Sequence, residues 1–143
     1  MPNLFKINFK HEDVIKIQNK IKEFNWLKIS SSKTWEMGTN PDKLKELCEY
    51  WTEKYDWFKD QDYLNSFKQY KSDVDDLKIH FVLEKGKGEK NYPLVLLHGW
   101  PGSVSEFHNI IPMLTKNSNN ISFDVIAPSL PGFGFSDKPN KPI

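Results

Sequence analysis

The chain has 143 residues, of which 38% are hydrophobic and 27% charged, a composition that suits one folded domain with enough material for a core and excludes a wholly disordered chain. Formal net charge is +1, and every one of the 20 basic residues is lysine. Balanced charge without the bidentate guanidinium gives a nucleic-acid surface little support, so no nucleic-acid partner is expected.

Residues 4 to 9 alternate Leu4, Lys6 and Asn8 with Phe5, Ile7 and Phe9, the pattern of an extended arm with one apolar face lying on something larger. The N-terminus lacks the apolar stretch of a signal peptide, and no run of 18 apolar residues occurs. A cytoplasmic protein without a membrane anchor is the expectation. Asp13 precedes Val14, Ile17, Ile21 and Phe24 at helical spacing, predicting an amphipathic helix to about Phe24. From Ile29 to Gly38 the chain reads as an irregular surface connection pinned by Trp35.

Asn40-Pro41 is a helix start, with Asn as cap and Pro at the first helical position. Leu44, Leu47, Cys48, Trp51 and Tyr55 then predict a helix burying an apolar stripe. Cys48, the lone cysteine, has no intrachain disulfide partner and reads as a small buried residue. Asp62 to Phe67 is expected to form a helical turn, followed by strands over 68–71 and 77–83 that meet at the Asp73-Val74-Asp75-Asp76 cluster. Alternation places His80 away from the row Leu77, Ile79, Phe81 and Leu83, in a structural or exposed position. Gly86 to Asn91 reads as a polar, flexible break between an N-terminal region of residues 1–85 and a second region of residues 92–143. The strand at about 77–83 is expected to join the sheet of that second region.

Leu94 to Leu97 reads as a strand buried on both faces. It ends in His98-Gly99-Trp100-Pro101-Gly102-Ser103, a Gly/Pro-rich turn that leaves backbone N–H groups uncovered, with a cis peptide admitted after Trp100. Such a turn can offer donors to a developing negative charge. Ser103 or Ser105 then starts a helix through Phe107, Ile110, Ile111 and Leu114, ended by Asn117 to Asn120. Phe123 to Pro128 is the next strand, at a crossover length that allows a parallel neighbour. The loop from Pro128 to Asp137 follows it.

His98-Gly99-Trp100-Pro101-Gly102-Ser103 resembles the oxyanion motif of α/β-hydrolase epoxide hydrolases, and Pro128-Ser129-Leu130-Pro131-Gly132-Phe133-Gly134-Phe135-Ser136-Asp137 is similar to the loop after their next strand. The resemblance extends upstream. Trp35-Glu36-Met37-Gly38, Leu44 to Leu47 with Tyr50-Trp51, Tyr55-Asp56-Trp57, Leu64 to Phe67 and Leu77 to Phe81 resemble the N-terminal domain of the microsomal and juvenile-hormone branch. It implies an α/β fold: a helical N-terminal epoxide-hydrolase domain, then the first strands of an incomplete α/β-hydrolase sheet.

That family resemblance also implies a chemistry in which an Asp carboxylate opens the epoxide to an ester and a His-activated water hydrolyses it to a vicinal diol. It implies the Trp100 backbone N–H as an oxyanion donor, with His98, Gly99, Pro101 and Gly102 holding the turn. The side chains of Trp100, Phe133 and Phe135 are candidates to border the pocket. No nucleophile elbow occurs before Ile143, so the chain is expected to lack nucleophile, second carboxylate and base, and to be inactive alone. A small apolar epoxide would be the substrate of the complete enzyme. No cofactor is expected, and no metal, because His11, His80, His98 and His108 lack a ligand spacing. The alternatives are a non-catalytic binding or interaction module, self-associating through an exposed sheet edge, and another α/β-hydrolase such as an esterase or dehalogenase.

Overall fold

The computed structural model describes residues 2–26, 35, 36, 38–116, 118 and 120–140. Most of the connection read between Ile29 and Gly38 lies outside the described residues. Two compact units are present, Asn8–Gln61 and a second made of Met1–Ile7 with Asp62–Ile143.

The first unit is helical. Helix α1 (His11–Lys22) begins before Asp13, with Lys10 as its cap, and buries Val14. Helix α2 (Pro41–Glu53) starts where Asn40-Pro41 places it, because the Asn40 Oδ1 accepts the N–H groups of Asp42 at 3.0 Å and Lys43 at 3.1 Å. Those are two of the donors a helix start leaves without intrahelical partners. Gln18 on α1 donates to Thr52 O on α2 at 3.1 Å, tying the helices together. The stripe on α2 departs from expectation: no residue of the helix is buried, and Leu47 is 60% exposed. Helix α3 (Trp57–Leu64) replaces the helical turn expected over 62–67. It starts earlier because Asp56 Oδ1 accepts the N–H groups of Phe58 and Lys59, both at 3.0 Å. Trp57 stacks on Trp51, with centroids 5.7 Å apart, and takes the edges of Phe9 and Tyr55.

The second unit is a mixed five-stranded sheet in the order β1-β2-β3-β5-β4, formed by β1 (Asn3–Phe5), β2 (Gln69–Val74), β3 (Leu77–Glu84), β4 (Lys90–Val95) and β5 (Ile121–Pro128). Only the β4–β5 pair is parallel. Ile7 N donates to Asn65 Oδ1 and Asn65 Nδ2 returns a bond to Ile7 O, fastening the N-terminal arm beside β2. Strands β2 and β3 form a hairpin in which Val74 faces Leu77 across Asp75-Asp76, with Asp75 at a φ of 51°. Short polar side chains tolerate that left-handed conformation.

Gly86 to Asn91 is pinned rather than loose. Gly86 N bonds Asp124 Oδ1, Gly88 N bonds Ser122 Oγ, and Lys87 N bonds Thr115 O. Between β4 and β5 the expected single helix is broken in two: a 3-10 turn at Val104–Phe107, then the short α4 (Ile111–Thr115). Pro112, in the first turn of α4, supplies no N–H to continue a helix from upstream. The core gathers Phe67, Val82, Val104, Ile111, Val125 and Ala127.

Strand β4 is not buried on both faces. It lies at the edge of the sheet, with Val95 56% and Leu97 64% exposed. His80 is fully buried, and its face of β3, shared with Val82, is the deeper one.

Candidate functional site

Parallel strands end on the same edge of a sheet, where α/β proteins place ligands. Here β4 and β5 end side by side, Leu96 N adding one more bond to Ile126 O at 2.9 Å. Beyond it, β4 runs into the turn 98–103 and β5 into the loop 129–137.

His98 joins the two segments. Its ring is buried, and Nε2 accepts the Leu130 N–H at 3.0 Å. That leaves the proton on Nδ1, which donates to Gly99 O at 3.1 Å. Phe133 sets its ring against the imidazole with centroids 5.2 Å apart. Nε2 of His98 therefore ties the turn to the loop, while Nδ1 holds the turn itself.

Trp100 stands at the apex of the turn, 84% exposed, and the Trp100–Pro101 peptide is cis. Among the described residues its backbone N–H has no hydrogen-bond partner. Ser103 closes the turn as the cap of the 3-10 segment: its side chain accepts from Ser105 N at 3.3 Å, while Glu106 Oε1 accepts the Ser103 N–H at 3.0 Å. This capping box fixes where the 3-10 segment begins, its cap Ser103 standing three residues after the exposed Trp100.

The loop 129–137 is tied to β3. Ser129 N donates to His80 O at 2.8 Å, Asp137 N to Lys78 O at 2.9 Å, and Lys78 N to Asp137 Oδ2 at 3.0 Å. Within the loop, Gly132 and Gly134 adopt φ of 84° and 50°, the left-handed region glycine enters freely. Phe135 turns inward onto Phe5 and His80, at 5.3 Å from each ring. Of the three pocket candidates, Trp100 alone projects outward, Phe133 lies on His98, and Phe135 lies on His80.

A family model described as the epoxide hydrolase N terminus matches residues 2–107, and one described as the alpha/beta hydrolase fold matches residues 92–142. The chain belongs to the epoxide hydrolase N-terminus family. Juvenile hormone epoxide hydrolase 1 of Ctenocephalides felis is 37% identical over 143 residues, covering 96% of this chain and 31% of its own length. Epoxide hydrolase 1 of Sus scrofa is 35% identical, over 96% of this chain and 32% of its own. The crystal structure of juvenile hormone epoxide hydrolase from the silkworm Bombyx mori superposes with a TM-score of 0.91 at 36% identity, covering 99% of this chain and 39% of that one. The chain thus spans about a third of the length of the curated relatives it matches.

Several supports of the turn and the loop escaped the sequence reading. The Ser103-x-x-Glu106 capping box is a legible pattern. The Gln69 and Ser129 partners of His80 are not, since they come from β2 and from the loop after β5. Burial first, and then the Lys71 charge, hold the His80 pKa down at about 4. His108, stacked on Phe67 with centroids 4.7 Å apart, is also lowered by burial. Among the described residues no cluster of His, Cys, Asp and Glu is placed to hold a metal ion, and no helix is long and apolar enough to cross a membrane.

Proposed function

We propose that these 143 residues are the amino-terminal part of an epoxide hydrolase and supply its oxyanion donor, the Trp100 backbone N–H. The observation that carries this reading is the Trp100 N–H, without a hydrogen-bond partner among the described residues, in the turn after β4 that the His98–Leu130 bond holds. A waiting donor at that place stabilises the oxyanion formed as the ester intermediate is hydrolysed; losing one such donor typically costs about 10²–10³ in rate. The carboxylate nucleophile, the base and the second carboxylate come from residues outside these 143. The outward Trp100 indole gives the open end of the turn an apolar, aromatic surface. That character favours a small apolar epoxide.

The test captures the native product from its source with an antibody to residues 40–57, weighs it, and assays hydration of styrene oxide to the diol beside purified 1–143. The expected result is a species roughly three times as long as this chain that forms diol, and no turnover by 1–143. Diol formation by 1–143 alone, or a longer captured species that forms none, overturns the proposal.

A further inference from the structure

We propose that His80 is a positioning residue for the Trp100 turn, acting through Ser129 and Leu130 on His98; this rests on the reading of that turn as the oxyanion site. His80 lies on β3, outside both motif segments, yet it engages the loop with three polar atoms. Its Nδ1 is 2.8 Å from Ser129 Oγ, its carbonyl accepts the Ser129 N–H at 2.8 Å, and its own N–H donates to Ser136 Oγ at 2.9 Å. Ser136 Oγ in turn donates to Ser129 O at 2.7 Å, so both ends of the loop close on one residue. The next N–H along, that of Leu130, is the one His98 accepts.

The proton arrangement is fixed from outside the loop. Gln69 Nε2 donates to Leu64 O at 2.8 Å, which turns Gln69 Oε1 toward His80 Nε2, also at 2.8 Å. His80 therefore carries its proton on Nε2, and Nδ1 accepts the Ser129 hydroxyl. That hydroxyl would otherwise rotate freely. Phe5 and Phe135 close over the imidazole, at 5.2 and 5.3 Å. If this site served packing alone, an aliphatic residue such as neighbouring Val82 would fill it without burying polar atoms that each need a partner. A fully satisfied buried network instead selects one loop position.

The experiment is long-range 1H–15N NMR of the histidine rings in the 143-residue chain, with amide exchange at Leu130, in Ser129→Ala and His80→Gln. Val82→Ala serves as a core control outside the network. The expected result is that His98 gives a clean Nδ1–H signature in the parent, and that both network variants shift it toward a tautomer mixture and speed Leu130 exchange at least tenfold. Val82→Ala leaves both readouts in place. An unchanged His98 signature and Leu130 protection in whichever network variant stays folded overturns the proposal, as does an equal change in Val82→Ala. Ring nitrogens rather than turnover are read, so this result and that of the epoxide assay fail independently.

Discussion

Gly102 packs directly against the carboxylate of Glu106: a Cβ built there would overlap Oε1 and stand 2.9 Å from Gly99 O. Gly102→Ala must therefore displace the Glu106 side chain that closes the capping box, and press on the backbone of the turn itself. The expected loss is about 1–3 kcal/mol, a lost cap plus local backbone displacement. Gly99 has open space around the same position, so Gly99→Ala should leave stability within about 0.5 kcal/mol. Urea unfolding of the two variants, compared at unchanged slope, measures the difference.

Stability should fall on mild acidification because of His80. Its folded-state pKa of about 4 lies below the ordinary 6.5, so the unfolded chain takes up a proton first. The neutral-histidine contribution is complete above pH 6.5, is lost as pH falls toward 4, and stops changing below that, where the folded state protonates as well. His108, lowered by burial, adds a change of the same sign. In urea titrations from pH 7.5 to 4, His80→Gln should flatten the part of the slope that His80 provides.

Removing the His98 ring strands the Leu130 N–H between the turn and the loop. A buried donor left unpaired costs about 1–3 kcal/mol; the Leu130 N–H is part-buried, so His98→Ala should lower the urea midpoint by an amount toward the low end of that range. Amide exchange should speed up at Leu130 more than at Val125, which lies in the core of β5. Equal acceleration at both would mean that the ring is only packing.

Local chemistry was legible wherever a few neighbouring residues decide the outcome. The Asn40 cap, the Asp75-Asp76 hairpin and the strand-to-turn change at His98 all rest on contacts within a few positions. Burial was less legible, because it depends on which element lies beside a segment. Leu94 to Leu97 has the same aliphatic pattern whether the strand is central or at an edge, and only the order β5-β4 decides that Val95 and Leu97 stay exposed. The apolar stripe of α2 is equally real in sequence, but no residue of the helix is buried, and Leu47 stands 60% exposed. For the site, the turn and the loop were visible as motifs. Their connection through Leu130 and the anchorage of the loop on His80 join residues 32 and 49 positions apart, and no local pattern announces such pairs.

The helical unit offers a test that leaves the site untouched. Asn40 Oδ1 satisfies two N–H groups at the start of α2, and Pro41 presets the first turn. In Asn40→Ala those two donors return to water or to weaker partners, at a typical cost of about 1 kcal/mol. Because no residue of α2 is buried, the loss should appear first as fraying at the start of α2. Amide exchange should accelerate at Leu44, whose N–H bonds Asn40 O at 3.0 Å, while the His98 ring signature stays as in the parent. Asn40→Asp keeps an acceptor at the cap and adds a charge favourable to the helix dipole, so it should restore protection at Leu44. If Asp fails to restore it, the role of Asn40 lies in contacts other than the cap.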